Sequence, residues 1–560
     1  MNRTLENRFY YLDNFVTVVE SIRARYRHLL NSEEQAFVDG FGALPQSSAA
    51  LLVRMVMRKG ELFRLGKLRY DEIGCTESAA APLVQAGWIS QQPLVDIEQL
   101  FSVLTKVEIA AAFPLLRHSK ATRKSEQLAF LREAGAARDV GDDNARMRSL
   151  ADWWPDAGDS LLQLSGPIAA LCDRLRLMFF GNLYQDWSEF VLSELGIFKY
   201  EQLDLSPATQ AFSRRQDLDD YLHLHACRER FLGGEAPHAV VADIADYPYP
   251  NAWLEERRSK LLFQIARHHE RNGELAQALR LYAASSRPGA RLRAIRVLER
   301  CGQLAVAFEL AQQAELQAES EAEQQQLLRV MPRLRRALGY PKLPKPSAVS
   351  VVQHEIALPR PGPGMSVETA LSQHLAHADA PALYVENALI NSLFGLLFWD
   401  AVFAPVPGAF FHPFQSAPAD LHSADFRMRR ARQFEDGFAL LHDGGYRETI
   451  LRNFRIKENI QSPFVFWDAI DDDLLAMALD CLPPLHLEKC FERILQDIKS
   501  NRSGLPDLIQ FWPAEKRYQM IEVKGPGDRL QDNQIRWLDY FASHAIPVAV
   551  YYVQWTGENA

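Results

Sequence analysis

No two cysteines in this chain of 560 residues stand as C-x-x-C. The six present, Cys75, Cys172, Cys227, Cys301, Cys481 and Cys490, are scattered, which argues against a thiolate zinc site. So few thiols over such a length read as reduced core residues of a cytoplasmic protein. The N-terminus, MNRTLENRFYYLDNF, lacks the apolar centre of a secretion signal. A long uninterrupted apolar run is missing too. The most apolar stretch, Leu389 to Phe411, carries Asn391, Ser392, Asp400, Pro405 and Pro407, so it reads as a buried helix and its exit, with no membrane span. Nor is there an excess of positive charge: 62 Lys and Arg face 71 Asp and Glu, a formal charge of −9. A generally basic nucleic-acid binder is excluded, while local basic surfaces are not.

What the chain has is length and helix pattern. It is too long for one core and predicts several domains. Residues 1–70 carry apolar side chains at helical spacing. There follows a run in which Arg54, Arg58, Lys59, Arg64 and Lys67 alternate with apolar residues. The apolar residues anchor it while the bases face out, as a solvated face or a phosphate-binding one. Two short helical patterns then flank a basic connector with Arg117, Lys120, Arg123 and Lys124. Helix–loop–helix modules of this shape can seat amides and bases on phosphates. From about residue 160 to 345 the chain reads as helix. ERNGELAQA, from Glu270, matches ERCGQLAVA, from Glu299, at a period of 29 residues. Each copy places Gly where one helix ends and Ala where the next packs closely, as in stacked helical hairpins that serve as protein scaffolds or rigid spacers. A proline-rich stretch up to residue 364 reads as an extended linker.

Chemistry concentrates near the C-terminus. Pro506 to Phe511 and Tyr518 to Lys524 read as two strands of a hairpin. Alternation puts Met520, Glu522 and Lys524 on one face, and antiparallel pairing brings Asp507 opposite the end of the second strand. Two neighbouring carboxylates repel unless a cation joins them, and a hard divalent ion suits oxygen ligands, with the Val523 carbonyl as a further donor. Lys524 can position or deprotonate a water, or offset developing charge. Metal-assisted phosphodiester hydrolysis follows. The plain alternative is a surface hairpin with an i, i+2 ion pair. Against it stand a helix pattern capped by Asp528 and Gln531, then a further strand in PVAVYYVQW.

GLPDL, IEVKGPGDRL and DNQIRWL resemble the VRR-NUC nuclease domain of the PD-(D/E)XK superfamily, and the order of regions resembles the bacterial Fanconi-associated nucleases, without a eukaryotic zinc finger. The resemblance implies a multidomain protein, mainly α at its N-terminus and in its repeats, then α/β in a PD-(D/E)XK-type nuclease. Its parts are an N-terminal helical domain over 1–70, a SAP-like DNA-binding region over 71–155, a helical region with tetratricopeptide-like repeats and linker over 156–364, and the nuclease domain over 365–560. It implies a structure-selective DNA nuclease that cuts 5′ flaps and branched DNA, with 5′-to-3′ exonuclease activity, in interstrand cross-link repair. Mg²⁺ or Mn²⁺ would be the cofactor. Branched DNA and DNA-repair proteins would be the partners of a monomer near the bacterial nucleoid. The family's upstream acid maps to Glu386, read as the start of an apolar helical stripe with Ile390, Leu393 and Leu397. Glu386, Asp507, Glu522 and Lys524 are then the catalytic set, with Val523 joining the three acids at the metal. Lys499, Arg502 and Arg529 lie near them in sequence as candidate DNA contacts, while Arg427, Arg429, Arg430 and Arg432 are phosphate holders or a solvated face. A four-way-junction resolvase and a non-catalytic helical-repeat adaptor are the other readings.

Overall fold

The computed structural model describes residues 7–58, 60–118, 123–133, 147–185, 190, 198–342, 351–362 and 364–556. The chain divides into two compact units, one of residues 1–197 and 206–218, the other of residues 198–205 and 219–560.

The first unit is mainly helical. Tyr10–Tyr26, Ser32–Gly42 and Gln46–Val56 follow one another as helices. Asn31 caps the second reciprocally with Glu34, so two otherwise orphaned amides are satisfied. The run that follows does not stay helical. Leu62–Arg64 forms strand β1, which joins Ile89–Gln91 (β2) and Leu161–Leu164 (β3) in an antiparallel sheet of order β1-β3-β2.

The second unit begins with the repeats. Ala252–Arg271, Leu275–Ala283, Ala290–Arg300, Leu304–Leu316 and Glu321–Ala337 form successive helices. The 29-residue period is visible in the hydrogen bonds. Gly273 donates to Glu270 and Glu274 to His269; Gly302 donates to Glu299 and Gln303 to Leu298. Gly273 (φ 80°) and Gly302 (φ 73°) adopt the left-handed conformation that this helix end requires. Ala278 and Ala307, at equivalent places, are fully buried.

The nuclease part is a mixed sheet of order β4-β8-β7-β6-β5. β6 (Leu508–Trp512) and β7 (Arg517–Lys524) are the predicted hairpin, paired antiparallel from Leu508 opposite Ile521 to Trp512 opposite Arg517. β8 (Val548–Thr556) runs parallel to β7, reached through the helix Asp532–Ser543. β5 (Ala382–Tyr384) flanks β6. β4 (Val352–Pro359), inside the stretch read as linker, pairs along its length with β8, so the sheet recruits residues that precede 365. The capping of the Asp532 helix also differs from the reading. Gln531 and Gln534 form the box, while Asp528 accepts from the Gly525 amide. A large apolar core holds the sheet against surrounding helices, with Phe394, Phe464, Phe491, Phe511 and Phe541 fully buried.

Candidate active site at the end of the central hairpin

Antiparallel pairing does the first work. The register that sets Leu508 opposite Ile521 brings Asp507 to Glu522 and Val523, and the Val523 amide donates to Asp507 Oδ2 at 2.8 Å. Lys524 Nζ lies 2.7 Å from Glu522 Oε1, as expected for side chains on one face. An i, i+2 ion pair therefore exists, but not on a surface: Glu522 is 0 %, Asp507 6 % and Lys524 7 % exposed. Burying charge at such cost on an ordinary hairpin has no structural return.

The position of Glu386 corrects the sequence reading. It lies in the turn between β5 and the helix Leu389–Leu397, and it is exposed. The apolar stripe belongs to the helix after it. Backbone bonds place the turn. Val385 donates to the Asp507 carbonyl (2.8 Å), and Leu505 donates to Asn387 Oδ1 (3.1 Å). Asn387 takes a left-handed conformation (φ 53°). Fully buried Asn391 donates to the carbonyls of Asn387 (2.7 Å) and Arg502 (3.0 Å), stitching the turn to the segment that leads into Asp507. The Glu386 carboxylate accepts from the Tyr384 hydroxyl and from Asn387 Nδ2. Sequence reasoning passed over Tyr384, Asn387 and Asn391. The one available signal was a buried amide at Asn391 in an otherwise apolar helix.

The electrostatics are those of a site short of positive charge. Burial holds the Glu522 carboxyl well above the usual range, and Asp507 and Glu386 push it further, against Lys524. Burial raises Asp507 likewise, with Glu386 adding to it and the Val523 amide and Lys524 opposing. Apart from the Lys524 ammonium beside Oε1, no donor reaches either Glu522 oxygen among the described residues. Buried, unsatisfied carboxylate oxygens fit a hard divalent cation, which would relieve what Lys524 alone does not. Among the described residues, no three acidic, histidine or cysteine side chains already enclose a metal. Asp507 and Glu522 are together, whereas Glu386 is held by Tyr384 and would have to turn toward them.

The basic candidates separate in the same way. Arg58, Arg117, Arg123, Lys499 and Arg529 are exposed. Arg64 does not face out: it is buried, bonded to Asp159 and Glu108, and Lys67 joins Glu108 as well. Lys124 also turns inward, donating to the carbonyls of Phe101 and Leu104 at a helix end. Arg54 pairs with Glu72 across the Tyr11 ring. Arg502 is half-buried against Phe464. Arg429 and Arg430 both bind Asp420, and Arg430 is fully buried. Lys59 and Lys120 lie outside the described residues.

Comparison with known proteins gives the class first. Residues 441–555 match the VRR-NUC domain family, which takes in Asp507, Glu522, Val523 and Lys524 but not Glu386; the protein is a nuclease. Residues 9–90 match the HTH domain of FAN1, and residues 94–153 the SAP domain of Fanconi anemia-associated nuclease. A Fanconi-associated nuclease 1 homolog of Pseudomonas aeruginosa is 51% identical over 98% of this chain and 96% of its own. One of Arabidopsis thaliana is 24% identical over 94% of this chain, which spans 64% of that relative. The crystal structure of paFAN1 bound to DNA with a 2-nt 5′ flap and a gap superposes with a TM-score of 0.90, at 50% identity over 99% of this chain and all of that one. The chain belongs to the Fanconi-associated nuclease family. Such a PD-(D/E)XK-type nuclease depends on divalent metal. Among the described residues, no helix is long and apolar enough to cross a membrane.

Proposed function

We propose that the protein cuts branched DNA at 5′ flaps, with 5′-to-3′ exonuclease activity, in the repair of interstrand cross-links. Mg²⁺ or Mn²⁺ is the cofactor. Asp507, Glu522, Glu386 and the Val523 carbonyl would hold the ion, and Lys524 would complete the catalytic set. The observation that carries this reading is the buried acid pair beside one lysine, with Glu522 Oε2 lacking any donor among the described residues. One relative, paFAN1, solved with a 2-nt and with a 1-nt 5′ flap DNA with a gap, supports the substrate.

When bound, a hard divalent cation polarises the scissile phosphoryl group and acidifies the attacking water. The chain does the rest. The Val523 amide fixes one oxygen of Asp507, so the other faces the site in a single orientation. Glu386 turns from Tyr384 and Asn387 toward the pair. Released from Glu522, Lys524 can orient the water or offset charge on the phosphorane-like transition state. Selectivity for a branched substrate comes from shape, because phosphate contacts carry no base code and a junction bends more cheaply than a plain duplex.

Cleavage of matched flap, four-way-junction and duplex DNA with Mg²⁺ or Mn²⁺ tests this. Glu386→Ala, Asp507→Ala, Glu522→Ala and Lys524→Ala should each abolish cutting and spare DNA binding. Undiminished cutting by Asp507→Ala would refute the assignment. The intact acid–acid–lysine set speaks against a decayed adaptor.

A further inference from the structure

The acids of the proposed metal site are not equally ready for an ion. Asp507 gives one oxygen to the Val523 amide, and Glu522 has only Lys524 beside one of its own. Glu386 instead has a donor on each oxygen: the Tyr384 hydroxyl donates to Oε2, and Asn387 Nδ2 donates to Oε1 at 3.2 Å. The two donors differ in what else they do. Asn387 Oδ1 accepts from the Leu505 amide (3.1 Å), which fixes the side chain with its nitrogen toward Glu386. Asn387 therefore serves the fold as well as the acid. The Tyr384 hydroxyl makes one hydrogen bond among the described residues, and that bond goes to Glu386.

The sheet places this bond. Tyr384 ends β5 opposite Leu508, the residue after Asp507, and Val385 donates to the Asp507 carbonyl. Tyr384 and Glu386 thus stand at the same end of the sheet as the buried pair. The Tyr384 side chain is not fixed there by a core, since the residue is 55 % exposed. Charge favours the parked carboxylate while no cation is bound. Turning Glu386 inward would bring a third carboxylate to two that share one lysine, and like charges resist that. A hydroxyl that donates to it outside the pair holds it by a charge-assisted bond.

We propose that Tyr384 is a positioning residue that latches Glu386 away from Asp507 and Glu522, so that a divalent ion gains its third carboxylate only by breaking the Tyr384 bond. This rests on the metal-site reading above and adds to it a determinant of metal affinity. An ion that must displace the hydroxyl binds more weakly by the factor that favours the parked state. The bond sets the ion concentration at which the site assembles; the acids and Lys524 set the rate once it has.

The test is Tyr384→Phe in the full chain, which removes one oxygen from an exposed ring. Binding of Mn²⁺ alone, without DNA, is read from the electron paramagnetic resonance signal of the free ion. The variant should bind Mn²⁺ about fivefold more tightly than wild type, as for a charge-assisted hydrogen bond weakened by partial exposure. Half-saturating Mn²⁺ for single-turnover cutting of 5′ flap DNA should fall by a similar factor, while the rate at saturating Mn²⁺ moves by less than about twofold. In a Glu386→Ala background, Tyr384→Phe should leave Mn²⁺ binding unchanged, because the latch acts only through that carboxylate. Weaker Mn²⁺ binding by Tyr384→Phe, the result for a residue that aims Glu386 at the ion, overturns the latch. Unchanged binding, or a gain that persists without Glu386, overturns it too. If Glu386→Ala alone binds Mn²⁺ as tightly as wild type, Glu386 is no ligand, and the failure is that of the metal-site reading.

Discussion

Replacing Asn391 by Ala should damage both stability and cutting, through one small amide that touches no substrate. Its side chain is fully buried and donates two hydrogen bonds, at 2.7 Å to the Asn387 carbonyl and 3.0 Å to the Arg502 carbonyl. Each bond contributes about 1 kcal/mol net, and each buried carbonyl left without its donor adds a desolvation cost of similar size. These come to about 4 kcal/mol; Asn391 Oδ1 is itself buried without a donor, and removing it offsets about 1 kcal/mol, so the expected loss is about 3 kcal/mol, read from the denaturant midpoint at constant m. The two carbonyls belong to the Glu386 turn and to the segment feeding Asp507. Loosening them lets the acids drift by a fraction of an ångström, enough to lower the cutting rate roughly 10- to 100-fold. Single-turnover cleavage of flap DNA, at a temperature where both proteins are folded, measures this. Raising the divalent ion concentration should restore part of the rate, because the ion favours the assembled acids over the loosened ones. A variant that loses stability but cuts at the wild-type rate would show that these bonds do not place Glu386. No change in stability would contradict the burial argument itself.

Two further outcomes follow from packing and charge. Gly504 sits at φ 89°, and a Cβ there would fall 2.8 Å from the Asn533 backbone carbon, so Gly504→Ala should cost about 2–4 kcal/mol in thermal or denaturant melts and slow cleavage by displacing Asp507. Glu108 is held down to about 2: burial raises it, but the Thr105 amide and hydroxyl, Lys67 and Arg64 outweigh that. A depressed acid stabilises the fold above its unfolded value of 4.5, and the contribution disappears as pH falls through that value toward about 2. Wild type should therefore exceed Glu108→Gln by roughly 1–3 kcal/mol at pH 6 and converge with it near pH 2. An unchanging difference in melts across that range would exclude the ion pairs as its source.

The hairpin, its register and the acid–acid–lysine grouping were legible because alternation along a strand is a local rule, and Asp507, Glu522 and Lys524 lie within 18 residues of one another. The repeat was legible for a similar reason, since the bonds that end a helix at Gly273 recur at Gly302. The placement of Glu386 on a helix failed because helix phase was extended one turn too far toward the N-terminus. The backbone there is claimed by β5 and by bonds to residues about 120 positions away, which no periodicity reports. β4 was hidden by the prolines around it, its pairing with β8 being set by an edge that only the folded sheet offers. The basic runs misled in a different way. Arg64 and Lys124 look like surface bases in sequence, but distant acceptors at Asp159, Glu108, Phe101 and Leu104 draw them inward.

Charge at the active site also explains why the chain tolerates an arrangement that folding alone would discard. Lys524 is the one basic side chain bonded to the Glu522–Asp507 pair among the described residues, so burial leaves an excess of negative charge there. An apolar replacement would pack as well and cost less. The deficit makes sense only if a second positive group arrives after folding. A divalent ion supplies it at the acids, while the phosphate it accompanies needs the opposite environment nearby. Lys499 and Arg502, which precede Asp507 in the chain, carry that opposite charge on the same compact unit. Separating the two signs, acids buried at the strand ends and bases exposed along helices, keeps them from neutralising each other before the metal and the polyanion arrive.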